Sequence, residues 1–229
     1  MNRTEVIQKI LDKKKSPGYL EIGVDSGNNF FLIKARRKIA VDPNFTFSRK
    51  RKINWMFKNR HNLFAKYYRG TSDNYFASKI NSHRLDVAFI DGLHTYQQSL
   101  KDSINALSHL KDNGVIVVHD CNPPNEAAAY PAQSYDNAAS LNQPGWTGIW
   151  CGDVWKSICI LRSTRKDLKI FVLDFDFGLG IITRGEADNC LNLSPQDIDR
   201  MTYKEFSQNR TELLNLRDEN FFFEFLKTI

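Results

Sequence analysis

A four-residue apolar run, Val87-Ala-Phe-Ile90, leads straight into Asp91, and His94 follows three residues later. The run is short and shows no polar alternation, so it reads as a strand covered on both faces. Strands of that kind belong to parallel sheets whose crossovers are helices. In such open sheets, ligands bind just beyond the carboxyl ends of the strands. A carboxylate and an imidazole at that edge mark where chemistry is expected.

The rest of the chain repeats this arrangement. Residues 3–14 have the spacing of an amphipathic helix ended by Ser16-Pro-Gly18. Tyr19–Ile22 is a strand, and Gly23-Val-Asp25-Ser-Gly27 a turn into a helix over about 28–36. Lys38–Asp42 is a second strand, stopped by Pro43, and Leu63–Arg69 a third after a basic helical stretch. Ser72 or Asp73 is positioned to cap a helix near 73–81. The fourth strand spans Leu85–Asp91, a helix covers 96–111, Asp112-Asn-Gly114 is a turn, and Val115–His119 is the fifth strand. This alternation predicts a doubly wound α/β, Rossmann-like parallel sheet with helices on both faces. A long loop over 120–150 precedes a helix near 153–162. Two strands, 170–173 and 180–183, are close enough for a hairpin. Residues 193–229 read as helices with caps at Ser194 and Thr202.

At 229 residues the chain fits one domain, 1–229, and a sizeable core. No apolar run reaches the length of a membrane span, and the first residues lack a signal-peptide core. Four cysteines without zinc spacing suggest free thiols in a cytoplasmic protein. The net charge is +6, with clusters at 13–15, 36–38 and 49–52. Such clusters can mark nucleic acid or anionic surfaces. Here they are scattered, and read as solvated helix ends without an RNA-binding aromatic motif.

The turn Glu21–Gly27 lacks the third glycine of the dinucleotide fingerprint, which argues against a tightly held pyrophosphate. Its glycines let a ligand approach the backbone, and Asp42 stands where an acidic residue would accept ribose hydroxyls. Gly70-Thr-Ser72-Asp73 follows the third strand and could line an adenine pocket. Together with Ile90-Asp91-Gly-Leu-His94-Thr-Tyr96 and Val117-Val-His119-Asp120, these residues resemble class I S-adenosylmethionine-dependent methyltransferases. The nearest type is the small O-methyltransferases whose fourth strand ends in an IDGxHxY pattern.

The resemblance spans about 18–184. It implies a seven-stranded sheet of order 3-2-1-4-5-7-6 with the last strand antiparallel. It implies S-adenosylmethionine held by Glu21, Gly23, Asp25, Gly27, Asp42, Ser72, Asp73 and Asp91. Its metal-dependent members carry Asp-x-x-Lys or Asp-x-x-His after strand four and an acidic pair or Asp-Asn after strand five. Asp91 and His94 match the first element. His119-Asp120 matches the second with histidine in place of a carboxylate. Asp91, Asp120 and His119 are therefore the candidate ligands for Mg²⁺.

Methyl transfer to a hydroxyl needs alignment and a deprotonated nucleophile. His94 suits the base, and Asp91 suits holding a metal or the acceptor. Trp146, Trp150 and Trp155 could wall an acceptor pocket. The Asn122-Pro-Pro124 run follows strand five and lacks the aromatic residue of amino-methyltransferases. The expected reaction is O-methylation of a small-molecule or glycan hydroxyl, by a chain free to form a homo-oligomer. The alternatives are an RNA methyltransferase, a nicotinamide-dependent oxidoreductase and a catalytically silent interaction module on this fold.

Overall fold

The computed structural model describes residues 1–78 and 84–229. Helix α1 (Arg3–Asp12) opens the chain, with a capping box between Asn2 and Glu5. Strands β1 (Gly18–Ile22) and β2 (Arg37–Asp42) lie side by side in parallel. Helix α2 (Arg49–Lys58), β3 (Lys66–Arg69), α3 (Ser72–Ala77) and β4 (Leu85–Ile90) follow. Next come α4 (Tyr96–His109), β5 (Leu110–Val118), α5 (Tyr135–Ser140) and α6 (Trp155–Thr164). Strands β6 (Leu168–Leu173) and β7 (Leu179–Arg184) form the hairpin. The tail carries α7 (Pro195–Arg200) and α8 (Tyr203–Leu214), capped by Ser194 and Thr202. It ends in a short β8 (Leu216–Arg217) and α9 (Glu219–Phe225).

The sheet order is β3-β2-β1-β4-β5-β7-β6-β8, with β7 antiparallel to both its neighbours. The expected order 3-2-1-4-5-7-6 is present, and β8 adds an edge strand parallel to β6. Side-chain alternation divides the core between the two faces. Val87 and Phe89 of β4 face α1 and α9, whereas Ala88 and Ile90 face the layer that includes α4 and α6. Each fully buried Val or Phe contributes roughly 1.5–3 kcal/mol. No helix among the described residues is long and apolar enough to cross a membrane.

Four local expectations change. β3 begins at Lys66 rather than Leu63. β5 begins at Leu110 and runs through Asp112-Asn-Gly114, because Leu110 pairs with Leu85 across an irregularity in the ladder. Thr71, not Ser72 or Asp73, caps α3 by accepting from the Asn74 N–H. The far end of the helix expected near 73–81 lies outside the described residues.

The fourth change is larger: no helix follows the glycine turn. Residues 28–32 run as consecutive turns, and 33–36 continue irregularly. Phe30, Phe31, Ile33 and Ala35 are all buried, so this stretch packs as a plug on the sheet rather than as a half-exposed helix. Its carbonyls would then lack helical partners, and buried side chains supply them. Lys38 Nζ donates to Phe30 O (2.5 Å) and Ile33 O (2.8 Å). Asn59 Nδ2 donates to Phe31 O (2.9 Å) and Ile33 O (3.0 Å), and Asn62 Nδ2 donates to Phe31 O (3.0 Å). Burial pulls the Lys38 ammonium down to about 7. Its third acceptor, Asn62 Oδ1 at 2.6 Å, completes the ammonium's hydrogen bonds.

Asn59→Ala strips the amide that serves two buried carbonyls. It should lower unfolding stability by roughly 2–4 kcal/mol in urea titration. A loss below about 0.5 kcal/mol would show that the turns hold without the clamp.

Candidate active site

The ends of β1, β4 and β5 are brought level by backbone hydrogen bonds. Asp91 N–H donates to Ile22 O (2.9 Å), and His119 N–H to Ile90 O (3.0 Å). Gly23 (φ +82°) sits so close to Asp91 that a Cβ there would collide with its carbonyl. Only glycine can both turn left-handed and allow that approach. A cavity of about 840 Å³ opens above these strand ends.

Its first half is lined by Gly23, Asp25, Asp42, Ser72, Asp73 and Asp91. Asp42 Oδ2 accepts from the Asp25 N–H (2.8 Å) and Oδ1 from the Asn44 N–H (2.6 Å), so one carboxylate fixes both loops. Two residues of α4, Gln98 and Asp102, complete this wall. Gln98 Nε2 donates to Ser72 Oγ (3.2 Å), Asp73 Oδ1 (3.3 Å) and Asp102 Oδ1 (3.0 Å). Burial pushes the Asp102 carboxyl up to about 6.

Glu21 and Gly27 do not line the cavity. Glu21 is buried behind the turn, where its Oε2 accepts from the Tyr19 hydroxyl and from Asn29 Nδ2 (2.8 Å). Burial pushes this carboxyl up to about 8, only partly offset by those hydrogen bonds. Gly27 (φ +76°) lies against the Phe31 ring, so its role is to seat the plug. Without a helix after the turn, no helix N-terminus faces a ligand there.

The second half holds the chemistry. His94 Nδ1 is 2.9 Å from Trp150 O, and Nε2 is 3.2 Å from Asp120 Oδ2 and 3.6 Å from Asp91 Oδ1. Gly152 (φ +59°) lets the 120–152 loop pass directly under the His94 carbonyl, where a Cβ would collide. His119 Nδ1 is 3.1 Å from Asp91 Oδ1 and 2.9 Å from Asp120 Oδ2. Asp120 itself is left-handed (φ +61°), a strained geometry for a non-glycine residue and one that clusters at functional sites.

Two residues that the strand pattern does not point to complete the cluster. Arg3, in the first turn of α1, places Nη1 3.0 Å from Asp91 Oδ2. Its Nε and Nη2 grip Asp176 at 3.0 and 2.9 Å. Asp176 lies in the β6–β7 turn, which Asn122 N–H pins through Phe177 O (2.7 Å). Arg3 is 88 residues from Asp91 and 173 from Asp176, so no local spacing announces it.

Charge pairing sets the ionisation of this group. Burial alone would raise the Asp91 carboxyl; His119 and His94 outweigh it and hold it well below the usual carboxylate range. Burial would lower both imidazoles, but Asp120 and Asp91 raise His94, and the same two carboxylates raise His119 further. Burial likewise works against Asp176, and His119 and Arg3 bring it below the usual range.

One atom each from Asp91, His94 and Asp120 lie within 4.8 Å of one another, a set able to hold a metal ion. His119 is not part of that set; it hydrogen-bonds the two carboxylates instead. Of the three tryptophans, Trp150 lines the cavity and its ring lies 4.9 Å from that of His94. Trp146 packs on Tyr135, and Trp155 is buried against Phe206, so neither walls the cavity.

Residues 20–121 match the model of a family described as a methyltransferase domain. The chain is similar to that family over this stretch, a little under half of its 229 residues. No curated protein matches the sequence. Among solved structures, a candidate caffeoyl-CoA O-methyltransferase from Staphylococcus aureus is 15% identical. It covers 80% of this chain and 82% of its own, with a TM-score of 0.58. An O-methyltransferase from Bacillus cereus, solved with SAH, is 14% identical over 81% and 82%, with a TM-score of 0.51. The O-methyltransferase TomG from Streptomyces achromogenes, solved with SAM, is 11% identical over 78% of each chain, with a TM-score of 0.53. At these identities the likeness shows the fold.

The buried Glu21 gives the domain a pH-dependent stability. Its folded pKa is raised from 4.5 to about 8, so the folded chain keeps a proton that the unfolded chain releases in that window. Stability therefore falls as pH rises from 4.5 to 8. Glu21→Gln should flatten this fall in urea midpoints measured across the window. An unchanged slope would place Glu21 outside the linkage.

Proposed function

We propose that this chain is a methyltransferase that transfers the methyl group of S-adenosylmethionine to a hydroxyl of a small molecule or glycan, with His94 as general base. The geometry of His94 carries the reading. Nδ1–H, donated to Trp150 O at 2.9 Å, leaves Nε2, beside Asp120 and Asp91 in the lining of the cavity, as the nitrogen that exchanges a proton. When Nε2 takes the acceptor's proton, Asp120 at 3.2 Å is in place to stabilise the imidazolium. The cofactor's ribose hydroxyls would meet Asp42, and its adenine the Ser72, Asp73, Gln98 and Asp102 wall. Its sulfonium would lie near Gly23 and Asp91, where the wall turns toward His94. The reaction is an in-line displacement: the acceptor oxygen forms the new C–O bond as the S–CH₃ bond breaks, and His94 keeps the proton.

Two carboxylates and an imidazole are donors that suit a divalent cation. Asp91, Asp120 and His94 would hold it, and it would acidify the acceptor hydroxyl. Arg3 competes for the same role, since its guanidinium already neutralises Asp91. The observation favours His94 as base with Arg3 and His119 supplying positive charge, and Mg²⁺ as the second reading.

His94→Ala should lower kcat by about 10²–10⁴-fold while leaving S-adenosylhomocysteine affinity within about twofold. Full activity in the variant would remove His94 from the mechanism. Because the base must be neutral and its pKa is raised, kcat/KM should rise with pH through an inflection above 6.5. Asp120→Asn should move that inflection downward. Activity that survives excess EDTA would favour Arg3 over a metal; activity restored only by Mg²⁺ would favour the second reading.

A further inference from the structure

The segment 43–72 contains eight Lys and Arg and no Asp or Glu, whereas the whole chain is only +6. The remainder of the molecule is therefore slightly acidic, and the positive charge is concentrated on the β2–β3 crossover. Helix α2 is the centre of this segment and has no fully buried residue. Its inner side is defined by Arg51, Lys52 and Trp55. Arg51 donates to Asn28 Oδ1 (2.5 Å), Lys52 lies 3.7 Å over the Tyr67 ring, and Trp55 stacks on Phe31 at 6.0 Å.

The opposite side carries Arg49, Lys50, Ile53 and Phe57 at i, i+1, i+4 and i+8 spacing, which places them on one helical face. Ile53 is 52% exposed and Phe57 87%. Just beyond the helix, Leu63 and Phe64 are 50% and 84% exposed. Standing whole aromatic and aliphatic side chains in water costs solubility, and their concentration in one basic segment marks an interaction surface.

We propose that this face docks the protein on an anionic phospholipid surface, with the cations meeting headgroups and Ile53, Phe57, Leu63 and Phe64 entering the acyl boundary. Charge complementarity excludes a second copy of the same face, which would oppose two strongly positive segments. Single-stranded RNA is taken up in basic grooves by stacking on flat rings, whereas this is the outer face of a helix that mixes aliphatic with aromatic residues. The inner side of α2 is tied to the glycine turn through Asn28, and Thr46 donates to Asp25 Oδ1 (2.7 Å). Docking would therefore set the cofactor half of the cavity at a fixed place relative to the lipid plane.

The test is co-sedimentation of the full chain with phosphatidylserine–phosphatidylcholine vesicles, with phosphatidylcholine vesicles and a single-stranded RNA as the other probes. The expected result is binding to the mixed vesicles and little to phosphatidylcholine alone. Phe57→Ser with Phe64→Ser leaves every charge in place and should weaken binding by at least about tenfold. Arg49→Glu with Lys50→Glu leaves the apolar groups and should weaken it by a similar factor. Since these side chains are exposed, melting temperatures should not move, which separates lost docking from lost folding. Failure to bind the mixed vesicles, or binding indifferent to the Phe57 and Phe64 changes, would overturn the proposal. So would RNA binding in the absence of vesicle binding.

Discussion

Asp91 is a carboxylate held where water has little access, and its charge is affordable only because cations meet it from three directions. Arg3 takes Oδ2, His119 takes Oδ1, and His94 stands slightly farther off. Each of these partners belongs to a different element, so the single charge recruits α1, the end of β5 and the start of α4. Arg3 extends the network to Asp176, and the β6–β7 turn joins it. Removing the carboxylate would leave Arg3 on Asp176 alone and both imidazoles sharing Asp120. The site and the closure of the fold around it are thus one electrostatic arrangement.

The cavity divides its labour along the sheet edge. The wall on β2, α3 and α4 is made of hydrogen-bonding groups linked to one another through Asp42 and Gln98. The wall on β4, β5 and the β6–β7 turn is made of charges. Glycines at 23 and 152 make both possible, because each brings a loop into contact with a backbone where no side chain fits. The first allows the two halves to meet at Asp91. The second seats Trp150 against His94.

Much of this was legible in the sequence, and the reason is physical. Buried parallel strands need unbroken apolar runs, so Val87–Ile90 and Val115–Val118 identify themselves, and the residues that end them follow by position. Asp91, His94 and Asp120 were visible on those grounds and do come together. Arg3 and Asp176 were not, because their partners lie on elements far away in sequence. Glu21, which the family resemblance put beside Asp42, does not line the cavity that Asp42 lines. Both lie on strands that reach this edge, but Glu21 points into the layer beneath the turn. The stretch 28–36 carries a helix-like mixture of residues. The donors that serve its carbonyls are Lys38, Asn59 and Asn62, which no reading of residues 28–36 alone can include.

That clamp has a consequence for the order in which the chain can assemble. The β1–β2 connection in a sheet of this type is ordinarily satisfied within itself by a helix, whose hydrogen bonds form as soon as its own residues are available. Here Lys38 of β2 serves Phe30 and Ile33, but the side-chain amides that serve Phe31 and Ile33 lie 26 to 31 residues further on. A nascent chain that has emerged only as far as β2 lacks those donors. The N-terminal part of the sheet is therefore a late product rather than a seed, since loop closure must precede the contacts that reward it. The uninterrupted β4-α4-β5 unit, built from neighbouring segments, is the part of the molecule best suited to form first.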